Sequence, residues 1–342
     1  MAVTGLNLQT GNPDGMKKGI SGSTIKIIAV IAMLIDHTAA VILTRRMVAG
    51  GLAEAAAGGQ VPFMNWITNH SLLYYGNVVM RGIGRLGFPI FCFLLVEGFQ
   101  RSRNVRKYAM RLGLFALISE IPFDLALTGS WSYMRYQNVY FTLLLGLLGL
   151  CAYGFFGKYE QAGEGRDLPV GVRGFFTVTG ILAPAAFVAA AMAIPAGQDG
   201  TGLSGTISVT SLLTVLILLL YGWKRSFRRI QTVCADLTVL MALMYAGELL
   251  RTDYGGMGVL TITMMYVFRK RRVVCMFAGC VVLTLMSFNE ITAFLALIPI
   301  ALYNGSRGLK MKYFFYAFYP VHLFLLFLIS VLLGLGSVTL VY

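Results

Sequence analysis

Long apolar segments separated by short polar ones dominate the chain from residue 24 onward. A membrane-spanning helix needs about 20 mostly apolar residues, and about eleven segments approach that length. We predict spans near 25–45, 78–99, 108–127, 138–156, 174–194, 208–223, 231–250, 255–268, 273–287, 290–305 and 313–338. The pattern therefore predicts an all-α fold, a polytopic helical bundle with about eleven (nine to eleven) transmembrane helices.

Composition supports this interpretation and limits what the charge can mean. The chain is 57% hydrophobic and 12% charged, whereas soluble domains have about 45–50% and about 25%. A formal net charge of +14 would suggest a nucleic-acid partner in a soluble protein. Here the bases cluster in short loops between apolar segments, which is typical of cytoplasmic loops. We therefore expect a lipid bilayer around the chain and no nucleic-acid partner.

The connections alternate in charge and so predict an orientation in the cell membrane. Basic connections follow the even-numbered spans, at 101–111, 223–229, 269–272 and 306–312. Connections poor in bases follow the intervening spans, at 127–137, 197–205, 251–255 and 288–290. The positive-inside rule then puts the N-terminus in the cytoplasm and the C-terminus outside. Arg45 and Arg46, at the outer end of the first span, go against the rule.

The chain divides into a tail and one membrane domain. Residues 1–23 are polar and rich in Gly and Ser, so we predict a flexible cytoplasmic tail, with 24–342 as a single transmembrane domain. The segment 46–75 is the longest predicted external loop, and Trp66 and Tyr74 suggest that part of it lies in the membrane interface.

The cysteines predict neither disulfides nor a metal site. All five (Cys92, Cys151, Cys234, Cys275 and Cys280) lie in apolar segments, with no CxxC pair and no histidine at metal-ligand spacing. We expect buried free thiols.

Ionisable residues within the first predicted span are the strongest functional signal. Asp36 and His37 lie inside TIKIIAVIAMLIDHTA (24–39), where unpartnered polar groups are costly and usually mark a site. Lys26 precedes His37 by eleven residues, about three helical turns, close to the same face. The alternative is structural, with Lys26 a snorkelling anchor and His37 a satisfied core histidine.

The second span adds two arginines and a glutamate. Arg81 and Arg85 are one turn apart near its external end and have no acidic neighbour on their own helix. They therefore need a carboxylate from elsewhere or an anionic ligand. Glu97 lies one turn before the basic loop, and a pair of Glu97 with Lys26 at the inner surface would be structural.

The third span carries two carboxylates, and the last carries a histidine. Glu120 and Asp124 are also one turn apart, with Pro122 between them loosening the helix. They will not both stay charged without nearby cations, and Arg81 and Arg85 are at a compatible depth. A buried network that only fixes helix packing is the alternative.

His322 is open to two interpretations, a core residue or a member of an active site. Its context FYPVHLFLL (318–326) predicts a local helix break. His70, in the predicted external loop, is the weakest candidate of the three histidines.

Several segments in this order resemble the TraX family. They are TIKIIAVIAMLIDHTA, GRLGFPIFCFLLVEGFQRSRN, YAMRLGLFALISEIPFDLAL, NVYFTLLLGLL and FYAFYPVHL. The namesake of that family is a conjugation-associated membrane protein implicated in N-terminal acetylation of pilin. The family is in turn similar to integral-membrane acyltransferases of bacterial polysaccharides. In those enzymes a basic residue, usually Arg, precedes a histidine by eleven positions, and Lys26 and His37 have that spacing. Gln100 stands where many relatives have a histidine.

The resemblance implies acetyl transfer from cytosolic acetyl-CoA, as co-substrate, to an amino group of an exported peptide. His37 would then be the general base, with Asp36 and His322 in the catalytic group. Lys26 would hold the CoA phosphates together with loop bases (Arg101, Arg103, Arg106 and Lys107). For most of these loop bases the favoured alternative is a purely topological role. Arg81 and Arg85 would bind the acceptor or stabilise the oxyanion. Glu97, Glu120 and Asp124 complete the candidate substrate-binding residues.

Two other functions stay open at the level of the sequence. One is O-acetylation of an envelope glycan or lipid-linked sugar, which needs the same base. The other is a proton-coupled small-molecule transporter, in which the intramembrane acids and histidines relay protons; the lack of a visible internal repeat weakens it. The chain shows no appended domain for a bulky acceptor, so we expect a small or membrane-tethered one.

Overall fold

The computed structural model describes residues 19–133, 135–161, 169–193, 227–309 and 312–338, and these residues form a helical bundle. The helices are α1 (Gly22–Thr38), α2 (Thr44–Ala49), α3 (Leu52–Ala57), α4 (Gln60–Asn69), α5 (Ser71–Gly84), α6 (Gly87–Arg101), α7 (Val105–Thr128), α8 (Val139–Gln161), α9 (Val170–Ala193), α10 (Phe227–Leu249), α11 (Gly255–Val267), α12 (Arg272–Met286), α13 (Leu297–Ala301) and α14 (Lys312–Leu332). A π-helical turn (Ala39–Leu43) joins α1 to α2, and a 3₁₀ helix (Phe288–Ala296) precedes α13.

Membrane-spanning length is reached by five helical segments within the described residues. They are Gly22–Ala49, Ser71–Arg101, Val139–Lys158, Gln231–Leu249 and Tyr313–Leu332. Four shorter apolar helices accompany them, at Val170–Leu182, Gly255–Val267, Arg272–Met286 and Phe288–Ala301. The protein is therefore an all-helical membrane protein, but the predicted count of about eleven spans is not confirmed. The predicted span 208–223 lies outside the described residues, and every other predicted span falls on a helical segment.

Two helix interruptions position the polar residues of the bundle. The π turn begins two residues after His37, and the Asn77 amide donates to the Ala39 carbonyl at 3.2 Å. Such turns are frequent at functional sites because they expose backbone carbonyls. The second interruption separates α5 from α6 at Arg85 and Leu86. It divides the second predicted span into two helices.

The two prolines expected to disturb helices leave them continuous. Pro122 lies inside α7, and Pro320 lies inside α14. The predicted local break near His322 is therefore absent. Pro320 has no N–H to bond the Tyr316 carbonyl four residues earlier, and that carbonyl instead accepts from the Tyr140 hydroxyl at 3.5 Å.

The predicted external loop 46–75 is mostly helical. It contains α3 and α4, and α5 already begins at Ser71. A small cluster of Met47, Trp66 and Ile67 packs beneath these helices, and the Trp66 indole donates to the Gly50 carbonyl at 2.6 Å.

Arg45 explains why the positive-inside pattern fails at the end of the first span. Its side chain is fully buried, donating to the Ser330 hydroxyl at 2.7 Å and the Leu125 carbonyl at 3.2 Å. It links three helical segments inside the bundle, so it does not act as a loop charge.

Helices α1, α7 and α11 organise the core. Helix α1 packs on α5, α6 and α14, whereas α7 packs on α8 and α14. Helix α11 contacts α6, α8, α10 and α12. All five cysteines are free thiols, and all but Cys151 are buried.

The start of the described chain is bound to the loop before α14. Ile20 exchanges backbone hydrogen bonds with Leu302 and Asn304, and the Gly22 N–H donates to the Ser306 carbonyl at 2.8 Å. Residues 1–18 of the expected tail lie outside the described residues, whereas 19–23 are held in place. We call this end of the bundle, where α1, α7, α12 and α14 begin and α6 ends, the basic end.

Candidate functional site

His37 and His322 meet at the centre of the candidate site. His37 Nδ1 lies 2.6 Å from His322 Nε2, and the two ring planes differ by 2°. The short contact between nitrogens identifies an edge-to-edge hydrogen bond. His322 is buried and His37 is half-buried. The histidines of the first and last predicted spans thus form one unit.

The hydrogen bonds assign the proton positions of this histidine pair. His322 Nδ1 lies 2.7 Å from the Phe318 carbonyl, one helical turn earlier. A carbonyl only accepts, so Nδ1 must carry the hydrogen, and Nε2 of the neutral ring then accepts from His37 Nδ1. His37 Nε2 keeps its lone pair, as a general base requires. His322 therefore orients His37 and fixes its tautomer.

Asp36 is paired with Arg81, on the side of α1 next to α5. An Arg81 guanidinium nitrogen lies 2.5 Å from Asp36 Oδ2. Gly84 makes this approach possible, because a Cβ there would lie 2.2 Å from Asp36 Oδ1. Adjacent residues on a helix point about 100° apart, so Asp36 faces Arg81 while His37 faces His322.

Arg85 is paired with Glu290, which sequence reasoning did not single out. The guanidinium lies 2.9 Å from Glu290 Oε1, and the Glu290 side chain is only 3% exposed. Glu290 lies in the 3₁₀ helix, which also contacts α5 through a 2.8 Å hydrogen bond from Thr292 to the Gly82 carbonyl. The sequence pattern had indicated only a short connection there.

Asp253, in the loop between α10 and α11, extends this group of charges. The Tyr136 hydroxyl donates to Asp253 Oδ1 at 2.7 Å. Burial raises the pKa of Asp253 above its usual value, and the Tyr136 hydrogen bond opposes that rise. The positive φ of Tyr254 (65°) turns the chain into α11 directly after Asp253.

Glu120 and Asp124 do not form ion pairs with Arg81 and Arg85. The Asn138 side-chain amide donates to Glu120 Oε2. The Tyr133 backbone N–H donates to Asp124 Oδ2 at 2.7 Å, and Asp124 is buried. Both carboxylates therefore hold the segment between α7 and α8.

A cavity of about 440 Å³ opens among the helices of the basic end. Its lining includes four cationic side chains (Lys26, Arg101, Arg111 and Arg307) and, among the described residues, the carboxylate of Glu97. Aromatic and apolar side chains form the rest, including Phe91, Tyr108, Tyr140, Phe315 and Tyr316. We call this space the first cavity. Its charge and apolar walls suit an anionic ligand with an uncharged arm.

Lys26 and Glu97 both line the first cavity without forming an ion pair. The Lys26 ammonium lies 5.5 Å from the centre of the Phe315 ring. Glu97 accepts from Arg101 and from the Tyr303 hydroxyl, each at 2.8 Å. Arg103, Arg106 and Lys107 are exposed and do not line the cavity, whereas Arg111 and Arg307, which sequence reasoning missed, do.

Tyr319 separates the first cavity from the histidine pair. Its ring is 5.0 Å from that of Tyr140, which lines the cavity. The same ring is 5.8 Å from His37 and 5.7 Å from His322. One buried aromatic layer therefore lies between the cavity and the imidazoles.

No three His, Cys, Asp or Glu side chains in the described part of the chain come close enough together to hold a metal ion.

Comparison with known proteins gives two matches. The sequence model of the family described as TraX protein matches residues 21–154 and 177–330, which include His37, His322 and the ion pairs of Arg81 and Arg85. The probable fimbrial assembly protein FimC, serogroup H1, of Dichelobacter nodosus is 33% identical over 137 residues. That match covers 38% of this chain and 45% of the relative, so the chain spans less than half of the relative's length. No solved structure matches the chain.

Proposed function

The chain belongs to the TraX family, and from this premise we propose that it is a membrane-embedded acetyltransferase. It would move an acetyl group from acetyl-CoA to an amino group of an exported or envelope peptide. The observation that carries the proposal is the pair of His37 and His322, which leaves one imidazole nitrogen as a base beside a basic cavity.

The first cavity is the proposed site of the donor. Acetyl-CoA has a polyanionic nucleotide and an uncharged arm that ends in the thioester. The cationic side chains suit the anionic part, and the aromatic walls toward Tyr140 suit the arm. The basic loops predict that this end faces the cytoplasm, where acetyl-CoA is made. For the thioester to reach His37, the Tyr319 side chain must move aside or the arm must pass around it.

The proposed chemistry uses His37 Nε2 as the general base. The amine nitrogen attacks the thioester carbonyl while His37 Nε2 removes its proton. The tetrahedral intermediate carries an oxyanion, and Arg81, whose partner Asp36 precedes His37 in the chain, is the candidate to stabilise it. The carbon–sulfur bond then breaks, and the CoA thiolate takes the proton that His37 Nε2 had removed from the amine. His322 keeps the His37 tautomer throughout.

The acceptor is proposed to be a peptide amine of the envelope. The name of the Dichelobacter nodosus relative refers to fimbrial assembly, which agrees with an acceptor on an exported protein. Fold and charge do not favour an amine over a sugar hydroxyl, since both nucleophiles need the same base.

Radiolabelled acetyl-CoA tests the proposal directly. Purified protein in nanodiscs should release CoA and pass label to envelope peptides, and His37→Ala should lower turnover by about 10²- to 10⁴-fold, the usual contribution of a general base. His70→Ala is the matched control, because His70 contacts Trp66 and lies outside the site. A His37→Ala protein with normal turnover would contradict the proposal.

His322 needs a separate readout because its role is positioning. His322→Ala should lower kcat on the order of 10- to 100-fold, similar to the loss of a residue that orients a functional histidine, with KM for acetyl-CoA unchanged. His322→Gln offers an acceptor oxygen to His37 Nδ1 and should recover part of kcat.

The radiolabel assay also tests the two other functions. Label on a glycan would favour O-acetylation, and uptake of a small molecule without CoA release would favour a transporter.

A further inference from the structure

A second cavity of about 470 Å³ lies at the basic end, on the other side of Glu97 and Arg101. Both of these residues line both cavities, so they form a shared wall. Phe93, Val96 and Cys275 provide apolar lining. The rest of the charge comes from the connection between α11 and α12, through Arg269, Lys270 and Arg272.

The second cavity carries an excess of positive charge. Among the described residues that line it are four cationic side chains and one carboxylate, that of Glu97. Glu97 is already bonded to Arg101 and to Tyr303. Three cationic side chains therefore face the cavity without a carboxylate partner among the ion pairs of the described residues.

Two of these guanidinium groups are held in place by aromatic rings. Arg269 lies 3.8 Å from the centre of the Tyr266 ring and donates to the Tyr266 carbonyl at 2.7 Å. Arg272 lies 4.9 Å from the Tyr303 ring and donates to the Tyr303 carbonyl at 3.0 Å. Each uses one nitrogen on a backbone oxygen, which leaves further N–H groups for another acceptor. Fixed guanidinium groups of this kind suit phosphate recognition.

Topology alone does not require this arrangement. For the positive-inside rule, the position of a base within the loop does not matter. Exposed Arg271, which does not line the cavity, would serve equally well. The rule does not need arginines stacked on rings at a cavity beside another basic cavity.

We propose that the second cavity binds the phosphorylated nucleoside at the far end of the acyl donor, while the first cavity takes the uncharged acyl arm and the diphosphate that joins this arm to the nucleoside. The proposal rests on the proposed function and adds which part of the donor each cavity recognises. Phosphate oxygens would accept from Arg269, Lys270 and Arg272. The donor would then pass over the wall of Glu97 and Arg101, with its thioester directed toward Tyr319 and the histidine pair.

A truncated donor separates the two cavities. Acetyl-pantetheine has the thioester and the uncharged arm but no nucleotide. Arg272→Gln should lower kcat/KM for acetyl-CoA by at least about tenfold, since a bond to a charged group contributes about 1.5–3 kcal/mol. The same variant should leave kcat/KM for acetyl-pantetheine within about twofold of wild type, because that donor does not use the second cavity.

Two further variants keep the test decisive. Lys270→Gln should lower kcat/KM for acetyl-CoA several-fold. Lys270 is exposed and its side chain forms no hydrogen bond or ion pair in the described residues, so the substitution should not disturb the fold. Arg271→Gln is the matched control, adjacent and exposed but outside the lining, and should match wild type with both donors. If Arg272→Gln and Lys270→Gln both keep wild-type kcat/KM for acetyl-CoA, the proposal is wrong.

An anionic lipid headgroup offers the same phosphate chemistry. Native mass spectrometry of protein purified with phosphatidylglycerol distinguishes this source. If Arg272→Gln loses bound lipid but keeps wild-type kcat/KM for acetyl-CoA, the cavity is a lipid site and the proposal fails while the proposed function stands. If wild-type protein neither binds acetyl-CoA nor releases CoA, the proposed function fails as well.

Discussion

Two arginines inside the bundle form ion pairs, whereas three cations that line the first cavity at the basic end form none within the described residues. Arg81 and Arg85 are each paired with a carboxylate, at 2.5 Å from Asp36 and 2.9 Å from Glu290. Lys26, Arg111 and Arg307 line a cavity and take part in none of the ion pairs that the described residues form.

The difference separates scaffold from binding surface. A buried cation without a partner is too costly to keep, so the interior supplies one, and that partner occupies the donors. Cations that line an open cavity can be reached by water and can exchange it for a ligand. The paired arginines therefore hold α1, α5 and the 3₁₀ helix together, whereas the cavity cations are available to an anion.

This distinction changes the expected roles of the arginines. Sequence reasoning made Arg81 and Arg85 candidates for binding the acceptor. Arg85 has its charge balanced by Glu290, which favours a structural role. Arg81 is 30% exposed in its side chain and is bonded to Asp36, the residue before His37, so it can serve the scaffold and the reacting centre together.

Removing the partner of a paired arginine should have the largest effect on stability. Glu290→Ala leaves the partly buried Arg85 charge without its ion-pair partner, which should cost up to about 3–5 kcal/mol of the free energy of unfolding. Thermal unfolding in detergent measures this. Arg101→Gln is the control, since it removes an ion pair whose arginine is half exposed and should cost at most about 1 kcal/mol. Equal losses in the two variants would contradict the distinction.

Removing a cavity cation should give the reverse result. Lys26→Gln should raise KM for acetyl-CoA on the order of tenfold, because a charge-assisted contact to the donor is lost. The unfolding temperature should stay near that of wild type, since Lys26 forms no ion pair in the described residues. Lys26→Arg should restore most of the affinity. A loss of stability without a change in KM would make Lys26 a structural residue.

The sequence predicted the helical membrane fold and the histidines because both leave local signals. Apolar length and basic loops depend only on neighbouring residues, and a polar pair within an apolar helix is conspicuous. The contact between His37 and His322 was not predictable in this way, because it joins residues 285 positions apart. The spacing of Lys26 and His37 still pointed to the face of α1 that connects the first cavity with the pair.

The acidic partner of Arg85 could not be predicted from the sequence, for two physical reasons. Glu290 lies in the 3₁₀ helix, at the edge of the predicted span 290–305, where a carboxylate is usually solvated. Glu120 and Asp124 looked like partners for Arg81 and Arg85 by depth alone. Depth does not specify direction around the helix axis, and both carboxylates face the segment between α7 and α8.

The smallest expected effect distinguishes topological bases from cavity bases on a single helix. Arg106 and Arg111 both lie in the first turns of α7, but only Arg111 lines the first cavity. Arg106→Gln should change KM for acetyl-CoA by less than about twofold, as expected for an exposed charge with no fixed partner. Arg111→Gln, the same substitution one and a half turns further on, should raise KM several-fold, and steady-state kinetics at low ionic strength resolve both. Equal increases in KM would mean that the donor responds to the overall positive field of the basic end. In that case the individual cavity residues would have no special role in recognising it.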